Sequence, residues 1–297
     1  MTAGLQITDD DQAALRFAAA RPDAALCTIV GIDGSFSRRL GAQLAIGADG
    51  ALVGSLSDGC LEHELVRQAE TARADGAVRL LRYGAGSPVI DFRLPCGSGL
   101  DVLIDPAPNR AALAQAVATL DARRETLLEL PVPHPGLLAR RKFAPGARLI
   151  VLGTGPEAAA LTALAQAQGL AVACLGPDSG LHLGRAPDGL AVDRWTAIVL
   201  LFHDHEWEVA LLDWALQTPA CYIGAQGGEQ ARINRQARLA TMGHGAAMLA
   251  RLRSPIGLIP HARDARTLAL SVLADVVATY EDLRRREGTG AVLEAFR

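Results

Sequence analysis

The first half of the chain alternates short apolar runs with stretches of helical spacing. A helix is predicted from about Asp10 to Ala20, and the apolar run from Ala25 to Ile32 predicts a strand that ends at the turn Gly34-Ser35. Asp49-Gly50 separates two further short apolar runs. This dipeptide predicts a tight hairpin, because both central residues of such a turn take positive φ.

A second helix and two more strands are predicted further along this half. The apolar face of the helix follows an i, i+4, i+5, i+8 spacing and consists of Leu61, Leu65, Val66 and Ala69. Ser57 or Asp58 is the expected N-cap, which places Cys60 in the first turn. The runs from Val78 to Tyr83 and from Leu100 to Ile104 predict strands on either side of a glycine-rich loop.

Beyond residue 146 the pattern changes to continuous apolar runs separated by helices. Runs without polar alternation are typical of parallel strands that are covered on both faces. The predicted strands are Arg148 to Leu152, Leu170 to Leu175, Ala197 to Phe202 and Ala220 to Ile223, with helices from Glu157 to Gln168 and from Leu268 to Leu283. We therefore expect an α/β protein with a β-rich α+β domain over residues 1–130, a proline-bearing linker over 131–146, and a Rossmann-like, doubly wound parallel-sheet domain over 147–297.

Composition places the chain among globular proteins. Of its 297 residues, 50% are hydrophobic and 21% are charged, and a formal net charge of -3 gives no reason to expect a nucleic-acid partner. Asp9, Asp10 and Asp11 stand where a secretory signal would be basic, and no apolar run approaches the roughly 20 residues needed to cross a bilayer. The expected location is cytoplasmic, without a membrane partner. The sequence has no serine-hydrolase elbow, Walker phosphate loop or zinc-protease helix motif.

A glycine-rich turn directly follows the first predicted strand of the second half. Gly153-Thr154-Gly155-Pro156-Glu157-Ala158 matches G-x-G-x-x-A at the start of a helix. In such turns the first glycine permits the tight bend, the second lets the backbone approach a pyrophosphate, and the helix N-terminus supplies N–H donors. A nucleotide or phosphate role is favoured over a bare strand-to-helix turn. In NAD-binding domains an acid about 20 residues after the glycine-rich turn usually holds the ribose. Gly176 stands near that position here, and this weakens an NAD interpretation.

Two of the five cysteines stand where the sequence favours reactivity. Cys60 lies in the first turn of a predicted helix, whose dipole favours the thiolate, although Asp58 and Glu62 oppose that shift. Cys96 precedes Gly97-Ser98-Gly99, small residues that leave the sulfur accessible and let the backbone wrap an anionic ligand. For both, a functional thiol and a small buried hydrophobe are open alternatives. The other three lie in apolar runs and are expected to be buried: Cys27, Cys174 and Cys221.

Three more groups are candidates for ligand contacts. His203-Asp204-His205-Glu206 follows a predicted strand, at the edge where open α/β sheets place ligands. A metal site there is a weaker alternative to capping of the next helix by Asp204. Gly224 opens a glycine-rich stretch that is either a second backbone loop over the same ligand or a permissive turn. Arg38 and Arg39 either offer guanidinium forks to a phosphate or an anionic pterin, or form a solvated turn.

Taken in order, these residues resemble the XdhC/CoxI accessory-protein family over nearly the whole chain. The N-terminal part of the resemblance runs through Gly34-Ser35, Arg38, Gly41-Ala42, Asp49-Gly50, Gly54-Ser55, Ser57, Gly59-Cys60 and Glu62. The second cysteine motif of the family is similar to Leu94-Pro95-Cys96-Gly97 with Gly99 and Asp101. Its Rossmann domain is similar to Gly153-x-Gly155, His203-Asp204, Tyr222-x-Gly224 with Gly227, and Pro255-Ile256-Gly257-Leu258.

This resemblance implies an accessory factor for molybdenum hydroxylases, such as xanthine dehydrogenase or a related aldehyde oxidoreductase. Family members bind molybdenum cofactor (molybdopterin), protect it while a cysteine desulfurase installs its terminal sulfido ligand, and deliver it to the apo-enzyme. The implied role is that of a chaperone without catalytic residues, and we also expect a homodimer. The implied metal contacts are Cys60 and Cys96, and the implied cofactor-binding residues, some of them around a phosphate or nucleotide, are Cys60, Cys96, Arg38, Ser57, Gly59, Gly97, Gly153, Gly155, His203, Asp204 and Gly224.

The sequence departs from the family pattern at several points. Asp58 and Ser98 stand where glycine is common, Gly176 replaces an acid, and Pro260-His261 interrupts a stretch that usually contains glycine. These departures concern individual ligand contacts more than the fold. Two other functions stay open: an NAD(P)-dependent oxidoreductase whose first domain supplies a small-molecule pocket, and a nucleotide-sensing interaction module without chemistry.

Overall fold

Two compact units make up the molecule. The computed structural model describes residues 12–57, 59–87, 97–132 and 134–293, and the side chains of Cys60 and of residues 287–293 lie outside that description. The first unit is Met1–Pro145 with Gly288–Arg297, and the second is Gly146–Glu287. The division falls at the end of the segment 131–146 that was expected to be a linker. Within the described ranges, no helix is long and apolar enough to cross a membrane.

The first unit is built on an antiparallel sheet. Its strands are β1 (Ala25–Asp33), β2 (Gln43–Ile46), β3 (Leu52–Gly54), β4 (Arg79–Gly84) and β5 (Gly99–Asp105). They form a five-stranded sheet in the order β3-β2-β1-β5-β4, with antiparallel pairing throughout. The strands predicted in this half are therefore confirmed. β1 is the central strand, and its first six residues are buried because it has neighbours on both sides.

The hairpin at Asp49-Gly50 is confirmed, but its turn is longer than predicted. β2 and β3 are joined by residues 47–51. The Gly47 N–H donates to the Ala51 carbonyl at 2.8 Å, and the Gly50 N–H donates to the Gly47 carbonyl at 3.1 Å. Within residues 47–51 only Gly50 has a positive φ, at 81°. The expected pair of positive φ values is wrong, because the longer connection lets Asp49 keep ordinary backbone geometry.

Before residue 146, the described part of the first unit also has three helices and a two-stranded ribbon. The helices are α1 (Ala13–Ala20), α2 (Cys60–Asp75) and α3 (Arg110–Asp121), and the ribbon pairs β6 (Thr126–Glu129) with β7 (Arg140–Phe143). Leu61, Leu65 and Ala69 of α2 pack on one face of the sheet, which confirms the predicted apolar face of that helix. The other face is covered by α1, α3 and Phe143. The sequence did not predict α3 or the ribbon, and β7 lies inside the segment 131–146.

The second unit is a parallel sheet. Its strands are β8 (Arg148–Gly153), β9 (Ala171–Leu175), β10 (Thr196–Leu201), β11 (Tyr222–Ala225) and β12 (Leu252–Arg253). They lie in the order β12-β11-β10-β8-β9, and every neighbouring pair is parallel. The chain therefore reverses its direction of winding between β8 and β10. This is the topological switch point, where open α/β sheets bind ligands beyond the carboxyl ends of their strands.

Helices cover both faces of the second sheet, as the sequence predicted. They are α4 (Pro156–Ala167), α5 (Glu208–Gln217), α6 (Glu229–Thr241), the short α7 (Ala246–Leu249) and α8 (Ala265–Leu293). Leu149 and Val151 belong to a core with α4 and α8, whereas Ile150 and Leu152 belong to a core with α5 and α6. Because alternate residues of a strand face opposite sides, these two cores confirm a doubly wound sheet.

Candidate functional site

Two glycines shape the turn at the switch point. Gly153 ends β8, and a Cβ on it would stand 2.3 Å from the Leu201 carbonyl oxygen of β10. The two backbones meet here at a distance that only glycine permits. Gly155 precedes α4 with a φ of 92°, a conformation that residues with side chains rarely adopt. The predicted glycine-rich turn is therefore present at the ligand-binding edge of the sheet, while its contact with a cofactor stays a prediction.

A carboxylate and an imidazole face each other across the switch point. Glu157 lies in the first turn of α4, and its Oε2 is 3.6 Å from Nε2 of His203 in the loop after β10. The Glu157 side chain is 16% exposed and the His203 side chain 74%. Glu157 Oε2 itself is buried and accepts no hydrogen bond from the part of the chain that the structure describes. In the sequence, Glu157 is only a position of the glycine-rich motif, because no sequence pattern marks a carboxylate that folding will bury.

A buried ion pair holds the loops beside the switch point. Arg235 of α6 and Glu208 of α5 form a bidentate pair, with Nε to Oε2 at 2.6 Å and Nη2 to Oε1 at 2.7 Å. Their side chains are 6% and 1% exposed. Arg235 also donates to Ser254 Oγ at 2.9 Å and to the Gln226 carbonyl. One guanidinium therefore ties together the segments that follow β10, β11 and β12. No sequence pattern predicts this pair.

The other polar residues of the loop after β10 bind within the protein. Nδ1 of His205 lies 3.1 Å from Glu208 Oε2, and Asp204 Oδ1 accepts a hydrogen bond from the Glu206 N–H at 2.9 Å. The N-cap of α5 is Trp207. The predicted capping of this helix by Asp204 is therefore wrong, because the loop makes a turn before the helix begins. A cofactor contact of Asp204 stays a prediction.

Gly224 lies inside β11 and not in the loop after it. A Cβ on this residue would come within 2.7 Å of both Ile256 Cγ2 and Tyr222 Cε1, so packing requires glycine here. The loop begins at Gln226, and its Gly227 has a φ of 140°. The sequence placed the end of the strand too early, since the pairing of β11 with its neighbours extends the strand to residue 225.

In the first unit, the carboxylate of Glu62 organises the loop before α2. Glu62 is 2% exposed and accepts hydrogen bonds from three backbone N–H groups, those of Leu56 at 3.0 Å, Ser57 at 2.6 Å and Gly59 at 2.8 Å. Of these three donors, Gly59 belongs to the helix start, where a carboxylate three residues after the N-cap accepts the N-cap N–H. The N-cap is Gly59, with a φ of 106°. Ser57 is therefore not the N-cap, Asp58 lies outside the described residues, and Glu62 accepts the N–H of the N-cap residue.

Arg38 adds a guanidinium to the same loop. Its Nη2 donates to Ser55 Oγ at 3.2 Å, and Ser55 Oγ donates to the Ser57 carbonyl at 2.8 Å. Nε of Arg38 is buried and has no hydrogen-bond partner within the described residues. The structure thus brings Arg38, Ser57 and Gly59 together at the start of α2. A phosphate or another oxyanion supplies the kind of acceptor that this guanidinium lacks.

Ser98, which follows Gly97 directly, lies against the Gly34-Ser35 turn. Ser98 is buried, and its hydroxyl donates to the Ser35 carbonyl. A Cβ on Gly34 would stand 3.4 Å from Ser98 Oγ. Ser98, which departs from the family pattern, therefore anchors this loop. Cys96 and the side chain of Cys60 lie outside the described residues, so their proposed metal contacts stay predictions.

The remaining cysteines differ in their exposure. Cys27 in β1 is fully buried, and burial raises its pKa to about 12. Burial also raises the pKa of the half-buried Cys221 to about 11. Cys174 is exposed, so its expected burial is wrong, because β9 is the edge strand of its sheet. Across the described side chains, which leave out Cys60 and Cys96, no three His, Cys, Asp or Glu form a group that could hold a metal ion.

Comparisons with known proteins agree with this architecture. Residues 17–84 match the model of the XdhC and CoxI family, and residues 149–276 match that of the XdhC Rossmann domain. The molybdenum cofactor insertion chaperone PaoD of Escherichia coli (strain K12) is 33% identical over 291 residues, which cover 92% of this chain and 89% of that relative. A solved structure from Bacillus halodurans, described as a xanthine dehydrogenase, is 20% identical and shares the fold, with a TM-score of 0.69 over 91% of this chain and 96% of that one. With family models that match in both units and a relative that spans nearly the whole sequence, the chain belongs to the XdhC and CoxI family.

Proposed function

We propose that this protein holds molybdenum cofactor in the cytoplasm and delivers it to an apo molybdenum hydroxylase of the xanthine dehydrogenase or aldehyde oxidoreductase type. The observation that carries the proposal is the similarity, over 92% of the chain, to a relative named as a molybdenum cofactor insertion chaperone. While the cofactor is held, a cysteine desulfurase supplies its terminal sulfido ligand. The protein acts as a homodimer that binds, shields and releases its cargo, and it needs no catalytic residue.

The loop before α2 offers groups that suit this cargo. Molybdenum cofactor is a pterin that carries a phosphate and a dithiolene-bound metal. A protein that holds it needs hydrogen-bond donors for the phosphate and soft ligands for the metal. Arg38 has a guanidinium N–H without an acceptor in the described residues, and Glu62 fixes the backbone around Ser57 and Gly59. We assign Cys60, the first residue of α2, and Cys96 as thiolate ligands of molybdenum. Thiolates are the ligands that soft metal centres prefer.

A second ligand edge lies at the switch point of the second unit. Gly153, Gly155 and His203 line it, and we assign them, with Asp204 and Gly224, to cofactor binding. The competing NAD(P)-dependent oxidoreductase suits this edge less well. A nicotinamide dinucleotide needs a carboxylate for its ribose after the second strand, and Gly176 stands there.

Expression in a cofactor-producing host tests the proposal. The purified protein is expected to carry equal amounts of molybdenum and pterin, measured by metal analysis and by fluorescence of the oxidised pterin, and to activate an apo-hydroxylase. Cys60→Ala and Cys96→Ala are each expected to lower the bound molybdenum about tenfold or more. Cys174→Ala removes an exposed thiol from an edge strand and is the matched control, which should keep its full load.

Two outcomes would contradict these assignments. Full loading and delivery by both the Cys60 and the Cys96 variants would remove the thiolate ligands from the proposal. A protein without molybdenum or pterin that instead oxidises or reduces a nicotinamide in a saturable manner would favour the oxidoreductase.

A further inference from the structure

Glu157 places a negative charge beside the space that a dinucleotide-binding turn keeps for phosphate. Its Oε2 lies 3.6 Å from the position that a Cβ on Gly155 would take. In dinucleotide-binding turns the second glycine leaves this space open so that the pyrophosphate can approach the backbone. In this protein a carboxylate of the same chain borders that space. The positive end of α4 stabilises the carboxylate there.

Two further features of the turn disfavour a nucleotide. Gly176 follows β9 where an acid would hold the ribose hydroxyls, and a Cβ at this position would come within 2.7 Å of Thr154 Cγ2. Pro156 is the first residue of α4, and it has no N–H to offer to a phosphate. The turn therefore keeps the glycines of the dinucleotide motif, but it has one backbone donor fewer and no acid directly after β9 for the ribose.

The unsatisfied atom at this turn is an acceptor. Glu157 Oε2 is buried without a hydrogen bond from the described residues, and the exposed ring of His203 lies 3.6 Å from it. Leaving a buried carboxylate oxygen without donors is unfavourable, so a ligand that brings N–H groups is stabilised there. A planar edge with two adjacent N–H groups pairs best with a carboxylate, because it makes two parallel hydrogen bonds.

We propose that Glu157 is a specificity-determining residue, which accepts the N–H edge of an aminopyrimidine ring and excludes phosphate from the glycine-rich turn. The inference rests on the proposed function, because the pterin of molybdenum cofactor has such an edge in its 2-amino group and the adjacent ring N–H. His203 presents an exposed flat ring beside the carboxylate. Flat heterocycles stack on such rings, so His203 complements the recognition by Glu157.

Titration of the purified full chain with free pterin tests this recognition directly. Quenching of the pterin fluorescence measures the binding. Lumazine is the matched ligand, because it keeps the fused rings and carries an oxygen in place of the 2-amino group. We expect pterin to bind about tenfold more tightly than lumazine, since lumazine leaves the carboxylate partly unpaired. ADP and inorganic phosphate should show no saturable binding over the same concentrations.

Substitution of the carboxylate separates charge from shape. Glu157→Gln keeps the shape of the side chain and removes its charge, so this variant should lose about tenfold in pterin affinity and gain measurable affinity for ADP. Glu229→Gln is the matched control. Glu229 is also a first-turn acid of a helix in the second unit, but it pairs with Arg232 Nε at 2.8 Å. Its substitution should change neither titration, and thermal melts verify that both variants fold.

Two results would overturn the inference. The first is that the unmodified chain binds pterin and lumazine equally well, or binds neither. The second is that the unmodified chain binds ADP and Glu157→Gln does not bind it more tightly. Analysis of copurified cofactor distinguishes this failure from failure of the proposed function. If the unmodified chain carries no molybdenum or pterin, the proposed function fails. If it carries the cofactor and Glu157→Gln carries as much with unchanged pterin affinity, only the role of Glu157 fails.

Discussion

Carboxylates in the first turns of α2 and α4 have different surroundings. Glu62 accepts three backbone N–H groups, whereas Glu157 has a buried oxygen that accepts none from the described residues. The first arrangement fixes a loop, and the second leaves an acceptor for a ligand. Both residues look alike in the sequence, because each is simply an acid near a helix start. Only the fold determines which donors reach each carboxylate. In the sequence, Glu62 is therefore only a charge that opposes the thiolate, and its capping role does not show.

Glu62→Ala is expected to lower the free energy of unfolding by about 2–3 kcal/mol, because it leaves three backbone donors of a largely buried loop without their acceptor. Glu64→Ala is the matched control, since Glu64 lies on the same helix and pairs with Arg67 at the surface. Its loss should have a much smaller effect. Urea unfolding followed by circular dichroism measures both values. Equal destabilisation by the two substitutions would show that Glu62 is not the capping group.

At the scale of elements, local sequence predicts a strand or helix well where that element buries its own apolar residues. β1, β8 and β10 are apolar runs and were predicted. β7 is different, because its Arg141 lies 4.5 Å above the Phe143 ring and donates from Nε to the Gly41 carbonyl at 2.7 Å. This strand pairs with β6 and its arginine is accepted by a distant carbonyl, and neither partner shows in the local sequence, which indicates a linker. α3 did carry a signal, since Asn109 accepts the Ala112 N–H at 3.1 Å as an N-cap.

In the candidate site, too, features that depend on local sequence could be predicted, and features that depend on distant residues could not. The turns at Gly153 and Gly155 could be predicted, because the need for glycine is a local property of the backbone. The end of β11 could not be placed to the residue, because its partner strands determine where pairing stops. The pair of Arg235 with Glu208 was not predicted either, since it joins two helices that lie apart in the sequence. The sequence therefore predicts the edge at which open α/β sheets bind ligands, but not the side chains that shape it.

Arg235→Met is expected to destabilise the second unit by about 3–5 kcal/mol, because the change leaves the carboxylate of Glu208 buried without its partner. The double variant Arg235→Met/Glu208→Leu should regain most of that loss, since it removes both charges. Arg232→Met is the matched control on the same helix and should have little effect, because Arg232 pairs with Glu229 at the surface. Chemical unfolding of the three variants measures these effects. A double variant as unstable as the single one would mean that Arg235 acts mainly through Ser254 and Gln226.

At the scale of the whole molecule, each unit has its own hydrophobic cores. Leu65 belongs to a core formed within the first unit, and Leu152 to a core formed within the second. The two family models also match separate parts of the chain, one in each unit. Each candidate ligand site is likewise assembled from residues of a single unit. We therefore expect each core to form the loops of its own site when it folds.

Calorimetric unfolding is expected to show two transitions, because each unit can bury its apolar residues by itself. Leu65→Ala should lower the temperature of only one transition, and Leu152→Ala that of only the other. Each substitution should lower the free energy of unfolding of its own unit by about 2–5 kcal/mol, the usual effect of removing a buried leucine side chain. Isoleucine or methionine at the same positions provides the control, since these residues conserve volume and should shift the transitions much less. If a single transition moved with both alanine substitutions, the two cores would unfold as one, and a change in either unit would alter both candidate sites.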